Sequence, residues 1–313
     1  MSPRPKAARR ARPPHGLRDR VHRLLQREDF RRNPLKALWR RVLWRLRWRI
    51  TAEPWILRFK KDLKIAVAND GQGALLCYQG CSEAETEDFI VGFLRPGMVF
   101  IDVGAHVGKY TLLAARAVGS AGEVHAFEPN PAVFGLLQKN VRLNRLGNVF
   151  TNRCAVSDVE GERDFEVRKE LTICSLRPTV GSSTPEGFPG GLSKIVRVPC
   201  ISLDAYCSSR VRKPDLVKID VEGAELPVLR GALQLLALPM QSAPVWVFEY
   251  APANYARFGY GPDELIAFLE THGYAVWRCQ KSGRIAAFRF SKTGAEALNL
   301  IAARKGRPLR SMA

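Results

Sequence analysis

Two rhythms of apolar and polar residues run through this chain. From about residue 98 onward, short apolar runs alternate with segments whose apolar residues recur at helical spacing. The runs at 98–103, 123–127, 148–156, 215–220, 245–250, 274–279 and 285–290 predict strands. The segments at 109–118, 131–146, 225–236 and 262–272 predict amphipathic helices. Such an alternation folds as a parallel sheet covered on both faces, because each crossover helix must bury its apolar stripe on that sheet. It is interrupted at 169–193, a stretch rich in Gly, Ser, Pro and Thr. That stretch is long for a structureless connection, which marks a lid, a binding loop or a flexible linker.

Upstream, segments 64–68 and 74–78 flank Asn69-Asp70-Gly71-Gln72-Gly73, a turn signal that predicts a hairpin. Residues 85–94 predict a helix stopped by Pro96-Gly97. Further upstream, Leu35, Leu38, Trp39, Val42, Leu46 and Ile50 recur near helical spacing, with Arg40, Arg41, Arg45, Arg47 and Arg49 between them. Trp44 and Trp48 are expected to widen that apolar face. Residues 2–16 hold Pro3, Pro5, Pro13 and Pro14 among arginines, a composition expected to be disordered. The chain thus divides into a basic, partly disordered arm with an amphipathic helix at 1–54, a hairpin and helix at 55–97, and an α/β domain at 98–313.

With 313 residues and 46% apolar side chains, a sizeable core is expected in one large domain or two modest ones. No apolar run approaches the ~18 residues a spanning helix needs, and residues 1–50 contain no apolar leader segment. The seven cysteines show no CxxC spacing, so neither a disulfide framework nor a zinc site is expected, and the expected location is cytoplasmic. Charge changes the picture more. The formal charge is +19, and residues 1–50 supply +14 of it, from 17 Lys and Arg against Asp19, Glu28 and Asp29. Such an arm points to an anionic partner, either nucleic acid or an acidic lipid surface. For residues 35–50, tryptophans among arginines suit the inner face of a membrane, with rings at headgroup depth and guanidiniums on lipid phosphates. A helix docked on the body with a solvated basic face is the alternative, and nucleic acid stands below both.

Candidate chemistry gathers where strands end. Phe100-Ile101-Asp102-Val103-Gly104-Ala105-His106-Val107-Gly108 reads as an apolar strand, a glycine-bearing turn and the start of a helix. Gly104 and Gly108 let the backbone turn tightly beside a ligand, and the helix that follows offers unpaired N–H groups. Glu128 lies 20 residues past Gly108 at the end of the next strand, where dinucleotide folds hold ribose hydroxyls. A pyrophosphate cofactor suits this poorly: the register is D-x-G-x-x-x-G, Ala105 and His106 crowd the turn, and Asp102 has the wrong charge. S-adenosylmethionine, with an amino-acid tail and no phosphate, suits it better. Its ammonium would meet Asp102, its carboxylate the amides of 104–108, and its ribose Glu128. Ser157 and Asp158, after the third strand, are candidate adenine-edge contacts. A second cluster, Lys218-Ile219-Asp220-Val221-Glu222-Gly223-Ala224-Glu225, sets three carboxylates at the carboxyl end of a later strand, where open α/β sheets bind ligands. Crowded carboxylates repel, so raised pKa values or a shared cation are expected. Glu225 reads equally as a helix first-turn acid, and Glu249 in Phe248-Glu249-Tyr250 is a weaker candidate.

With these residues, the sequence resembles the FkbM family of S-adenosylmethionine-dependent methyltransferases over about residues 85–305. The resemblance rests on 102–108, Phe127-Glu128-Pro129-Asn130, Asn140 with Asn144, Ala155-Val156-Ser157-Asp158, Ser202-Leu203-Asp204, 218–225 and Asn299-Leu300. The DVGA turn followed at a distance by KIDVEGAE is specific as a pair. The resemblance implies a Rossmann-like class I methyltransferase fold: α/β, with a mostly parallel seven-stranded sheet, one antiparallel strand near its edge, and helices on both faces. It also implies O-methylation of a hydroxyl on a sugar, glycolipid or polyketide, the acceptor being a small molecule, a glycan or lipid-linked.

The expected reaction is in-line transfer of an activated methyl, with the protein positioning and desolvating. The candidate general bases are Asp220, Glu222 and His106, and Asp220 and His106 are also candidate cofactor contacts. An intrinsic pKa of about 6.5 suits His106 to proton transfer. Its place in the turn suits a spacer or cofactor contact as well. Alternatively, Asp220 and Glu222 could converge on a divalent cation that lowers the alcohol pKa. Two other functions compete. An RNA methyltransferase would use the basic arm, but base amino-group methylation usually shows N/D-P-P-Y where this chain has Asp220-Val221-Glu222-Gly223. Pro199-Cys200 is misplaced for a cytosine C5 enzyme, and a carboxylate-rich mouth repels phosphates. The other is a non-catalytic, cofactor-binding, membrane-docked protein.

Overall fold

The structure is a computed structural model, and it describes residues 25–60, 62–80, 83–168, 174–176, 192–211, 213–288 and 297–309. The segment 2–16 and most of the 169–193 connection lie outside the described residues. The described part begins with a short helix, α1 (Glu28–Arg32), followed by the basic helix α2 (Pro34–Ile50). Asn33 starts α2 by accepting from the Lys36 N–H at 2.9 Å, and Pro34 occupies the first turn, where an N–H would be unpaired anyway. Ala37 and Trp44 are buried, so α2 is docked on the body. Trp44 therefore does not widen the face of Leu35 and Val42. It lies nine residues past Leu35, half a turn out of phase at about 100° per residue. Its ring packs instead among Trp48, Trp55 and Tyr78.

The hairpin sits one segment earlier than expected. β1 (Trp55–Phe59) pairs antiparallel with β2 (Leu63–Val67), while 74–78 belongs to a helix, α3 (Gly71–Gln79). The Asp70 side chain accepts from the Gly73 N–H at 2.7 Å, so the Asn-Asp-Gly signal is a helix cap rather than a turn between strands. Helix α4 (Ala84–Phe93) follows within a residue of its expected place.

The first half of the main sheet comprises β3 (Val99–Val103), α5 (Lys109–Val118), β4 (Glu123–Phe127), α6 (Pro131–Leu143) and β5 (Val149–Asn152). The chain then leaves this sheet. β6 (Ala155–Val156), β7 (Gly161–Arg168), β8 (Ser175–Leu176) and β9 (Leu192–Ile201) form a separate sheet in the order β6-β9-β7-β8, so the strand expected at 148–156 is split between two sheets. The return runs through α7 (Leu203–Arg210), β10 (Leu216–Ile219), α8 (Glu225–Arg230), α9 (Leu233–Ala237), β11 (Val245–Tyr250), the one-turn α10 (Pro252–Tyr255), α11 (Pro262–Thr271), β12 (Tyr274–Cys279), β13 (Ile285–Ala287) and β14 (Leu298–Arg304). The helix expected at 225–236 is broken at Gly231 and Ala232 into α8 and α9, and Asp204 accepts from the Gln234 and Leu235 N–H groups that open α9.

The main sheet has the order β13-β12-β14-β11-β10-β3-β4-β5. From β11 to β5 neighbours run parallel, and β14 is antiparallel to both of its neighbours. The seven strands and the reversed strand implied by the resemblance are present, and short β13 adds an eighth outside β12. Chain order reverses between β3 and β10, which opens a crevice at their carboxyl ends.

Strand periodicity decides what faces that crevice. Val99, Ile101 and Val103 of β3, Val217 and Ile219 of β10, and Trp246 and Phe248 of β11 pack on one face with α7, α8 and α11. Phe100, Leu216, Val245 and Val247 pack on the other with α4 and α5. Asp102, Lys218, Asp220 and Glu249 continue this second set toward the carboxyl ends, so an apolar floor is topped by charges. Asn140 on α6 ties the first segment to that edge. Its side chain accepts from the Ala66 N–H at 2.6 Å and donates to the carbonyls of Ala66 and Val107.

Candidate functional site

Between β3 and α5 the backbone enters the left-handed region three times, at Gly104 (φ 79°), His106 (φ 50°) and Gly108 (φ 91°). At Gly104 only glycine fits, since a Cβ there would lie 1.8 Å from the Asp220 carbonyl oxygen. Glu128, at the end of β4, holds the turn. One carboxylate oxygen accepts from the His106 N–H at 2.9 Å and the other from the Asn130 N–H at 2.8 Å. Burial pushes the Glu128 carboxyl up to about 7 against the pull of those amides. The turn is more self-contained than expected. The N–H groups of Gly104 and Ala105 donate to the Phe127 carbonyl, that of Gly108 to the Ala105 carbonyl, and that of His106 to Glu128. These four amides are therefore already engaged and do not stand open to a ligand carboxylate.

Beneath the turn lies a buried polar layer. Asp102 is fully buried, accepts from the Thr111 hydroxyl at 2.6 Å, and pairs in register with Lys218 across the β3–β10 boundary. It sits within the strand under α5, so it does not reach the cavity where an ammonium was expected to meet it. The buried Lys218 ammonium donates to Asp220 at 2.9 Å and lies 4.6 Å from the centre of the Tyr110 ring. Lys109 lies 4.0 Å from the same ring and donates to Glu83 at 2.9 Å, where the Tyr110 hydroxyl also donates at 2.6 Å. Burial alone would raise the Glu83 pKa, but Lys109, Lys218 and these donors hold it at about 2.

Above this layer opens a cavity of about 430 Å³, a normal size for a small-molecule site. Gly104, His106, Glu128, Asp220 and Glu222 line it, together with Glu249. Val156 of β6, Phe165 of β7 and Leu176 of β8 provide an apolar wall, and Gly71, Gln72 and Leu75 of α3 form a second wall. Ala105, Gly108, Ser157 and Asp158 are not in the lining. Ala105 packs against Leu137, the Gly108 backbone runs close to the same side chain, and Ser157 donates to Asp158 at 3.0 Å. Residues that the sequence reading missed are Glu83, Gln72 and Phe165, which lie outside the βα motifs and carry no signature of their own.

Five carboxylates line the cavity (Glu83, Glu128, Asp220, Glu222 and Glu249), with no lysine or arginine among the described lining residues. Oxygens of Asp220, Glu222 and Glu249 come within 4.8 Å of one another, a spacing a divalent cation could bridge. Glu222 stands on a left-handed residue (φ 55°) and accepts from the Asn254 side chain at 3.0 Å. Burial first, and Asp220 second, push both Glu222 and Glu249 well above the ordinary carboxylate range. Glu225 turns away from the cavity. It is fully buried and accepts from the Val221 and Gly223 N–H groups, holding the turn that presents Glu222. The His106 ring nitrogens have no partner among the described residues. Burial, then Lys218 and Lys109, lower its pKa to about 4, so the imidazole is neutral.

Residues 102–276 match the family model described as the methyltransferase FkbM domain. Among curated relatives, 31-O-demethyl-FK506 methyltransferase FkbM of Streptomyces tacrolimicus is 32% identical over 205 residues, 58% of this chain and 75% of that protein. Hexuronic acid methyltransferase AglP of Haloferax volcanii is 32% identical over 139 residues, 44% of this chain and 51% of that protein. Ribosomal RNA large subunit methyltransferase E of Vesicomyosocius okutanii is 28% identical over 116 residues, 31% of this chain and 54% of that protein. The chain thus spans three quarters of the first relative and about half of the other two. The matched region contains both motifs that build the cavity, 102–108 and 218–225. The chain belongs to the FkbM family of S-adenosylmethionine-dependent methyltransferases.

Proposed function

We propose that this protein transfers the methyl group of S-adenosylmethionine to a hydroxyl of a sugar, glycolipid or polyketide-type acceptor in the cavity at the carboxyl ends of β3, β4, β10 and β11. The observation that carries the proposal is the charge of that cavity: five carboxylates and no lysine or arginine among its described lining residues. Such a wall favours a sulfonium and an ammonium and disfavours a phosphate-bearing cofactor. Glu128 would hold the ribose hydroxyls, Val156 and Phe165 would flank the adenine, and His106 would contact the bound cofactor. The cofactor brings an activated methyl, so the protein must place the acceptor hydroxyl in line and remove its proton. Glu222 is the general base in this reading, because its raised pKa brings it nearer to working pH than an ordinary carboxylate. His106 is a weaker base, since its pKa lies far below neutrality. Lys218 donates to Asp220 and fixes it beside Glu222.

The name of one relative specifies O-methylation of a demethylated FK506 and that of another a hexuronic acid, which supports a hydroxyl-bearing small molecule or sugar. The ribosomal RNA relative and the basic arm favour RNA as a second acceptor class, and the acid lining opposes it. Methyl-labelled donor offered with hexuronic acids, glycolipids, polyketides and RNA separates the two. Label is expected in a methyl ether of one of the first three. Label in RNA alone, with steep salt dependence, replaces the proposal with the nucleic-acid reading. Absence of donor binding by calorimetry removes both.

A further inference from the structure

We propose that the outward face of α2 is a docking surface for an anionic phospholipid bilayer. This does not depend on the methyl-transfer reading. Helix α2 has 17 residues and is about 26 Å long. One side of it is used to hold the helix on the protein. Ala37 and Trp44 are buried, and the Arg41 guanidinium lies 4.5 Å and 4.4 Å from the centres of the Phe30 and Tyr78 rings while donating to Asp29. Arg40 donates to the Tyr78 carbonyl at 2.8 Å.

The opposite side is not the polar face that a docked helix normally turns to water. Leu35 (80% exposed), Leu38, Trp39 (59%), Val42, Leu46 and Ile50 (81%) all project from it. At about 100° per residue they fall within an arc of about 120°. A helix already docked on one side and apolar on the other presents a surface for a second partner. Charge identifies its chemistry. Helix α2 carries six Lys and Arg and no acid. Exposed Arg45 borders the stripe, exposed Arg49 interrupts it near its end, and exposed Lys36 flanks the other side. An anionic bilayer complements both features: the apolar side chains enter the headgroup–acyl boundary, the Trp39 indole sits at headgroup depth, and the cations meet phosphates. Nucleic acid would engage the cations and leave the stripe in water. A second copy would bring like charges together along both edges.

The docked side links this surface to the transfer cavity. The Trp44 ring lies against Gly73 of α3, where a Cβ would sit 3.0 Å from it, and Gly71, Gln72 and Leu75 of α3 line the cavity. An acceptor carried on a lipid would thus find the bilayer contact and the cavity wall on two adjoining helices.

The test floats full-length protein with vesicles of mixed phosphatidylglycerol and phosphatidylcholine, or of phosphatidylcholine alone. Wild type is expected to rise with the mixed vesicles only. Trp39→Ser combined with Leu46→Ser should weaken vesicle partitioning about tenfold or more, as should Arg45→Gln with Arg49→Gln. Cofactor affinity should be unchanged in both pairs. The proposal is overturned by wild type that ignores both vesicles, or by a Trp39/Leu46 variant that floats like wild type. It is also overturned if wild type is a dimer by light scattering and that variant a monomer, since the stripe then belongs to a second copy.

Discussion

Replacing Glu128 with alanine isolates the side chain on which both the turn and the donor site depend. In the free protein its two oxygens accept from the His106 and Asn130 N–H groups. Each oxygen keeps a lone pair for a ribose hydroxyl, and a hydrogen bond to a charged group contributes about 1.5–3 kcal/mol. Alanine removes that contact and also frees His106, a left-handed residue whose N–H is tied down by Glu128. A loss of about 2–3 kcal/mol in donor binding follows, or about 30- to 150-fold in Kd. Two effects on the fold oppose each other. Two buried N–H groups lose an acceptor, while a carboxyl that burial has raised to about 7 no longer has to be desolvated. The melting temperature should therefore move by only a few degrees. Glu128→Gln serves as the control of equal size. Its amide can accept from one N–H but must turn a donor toward the other, so its Kd should lie between wild type and alanine. Calorimetry with S-adenosylmethionine on variants of verified helicity reads both values. Two folded variants binding within about twofold of wild type would show that Glu128 merely braces the turn.

Other outcomes follow from the same geometry. Glu222→Gln should lower kcat/KM by about 10²–10⁴, while weakening donor affinity less than Glu128→Ala does. Wild-type kcat/KM should rise with pH well above the ordinary carboxylate range, because burial and Asp220 raise the Glu222 pKa and the base works deprotonated. The variant should lose that rise, and a wild-type inflection in the ordinary carboxylate range would argue against Glu222. Gly104→Ala sets a methyl against the Asp220 carbonyl at a left-handed residue, so soluble protein should melt far below wild type or fail to accumulate. A melting temperature like wild type's would mean the strand end can shift. Trp44→Ala removes a buried ring from the seam between α2, β1 and α3, at a cost of about 3–5 kcal/mol confined to that region. Hydrogen exchange should accelerate in α2 while β3 and β10 stay protected; equal protection would contradict the docking contact.

The sheet was legible because its strands are buried on both faces and read as unbroken apolar runs between helices, a pattern with few other solutions. The second sheet was not. In β7, Gly161–Arg168, charges alternate with few apolar residues, and only its far half is buried, so no apolar signal stands out from a surface loop. The Asn69-Asp70-Gly71 segment misled for a different reason: the same residues favour hairpin turns and helix caps. What decides is the following Leu75-Leu76-Cys77-Tyr78, which lacks period two. At the site, Gly104, Glu128 and Asp220 could be located because each follows the last residue of a strand, and Glu222 because it lies in the turn just beyond one. Asp102 was misplaced by two residues of depth: it has the chemistry for an ammonium but lies inside the strand, under α5. Glu83 and Gln72 reach the cavity from a segment ahead of the βα repeat, and only the tertiary fold brings them there.

The free site cannot hold five bare carboxylates, and the structure shows how the charge is limited. Glu83 is neutralised by Lys109, and Asp220 by Lys218, both ammoniums lying under the cavity floor. Glu128, Glu222 and Glu249 form no such ion pair among the described residues, and burial raises the pKa of each. Near neutral pH these three therefore retain part of their protons in the free protein. A cationic donor lowers the pKa of every carboxylate it approaches, so its binding must expel protons. By the same linkage, affinity rises with pH through the region where the three titrate: a raised pKa favours the protonated free form at low pH, and that competition fades as pH increases. Calorimetric binding of S-adenosylmethionine at neutral pH, repeated in buffers of different ionisation enthalpy, measures the effect directly. The observed heat should vary with the buffer and give a net proton release of a fraction of one to about two protons. Glu222→Gln should reduce that number, and Glu128→Ala should reduce it further. Heat independent of the buffer would mean that the acids are already ionised, or that the cation binds elsewhere, and either result contradicts an acid-lined donor site.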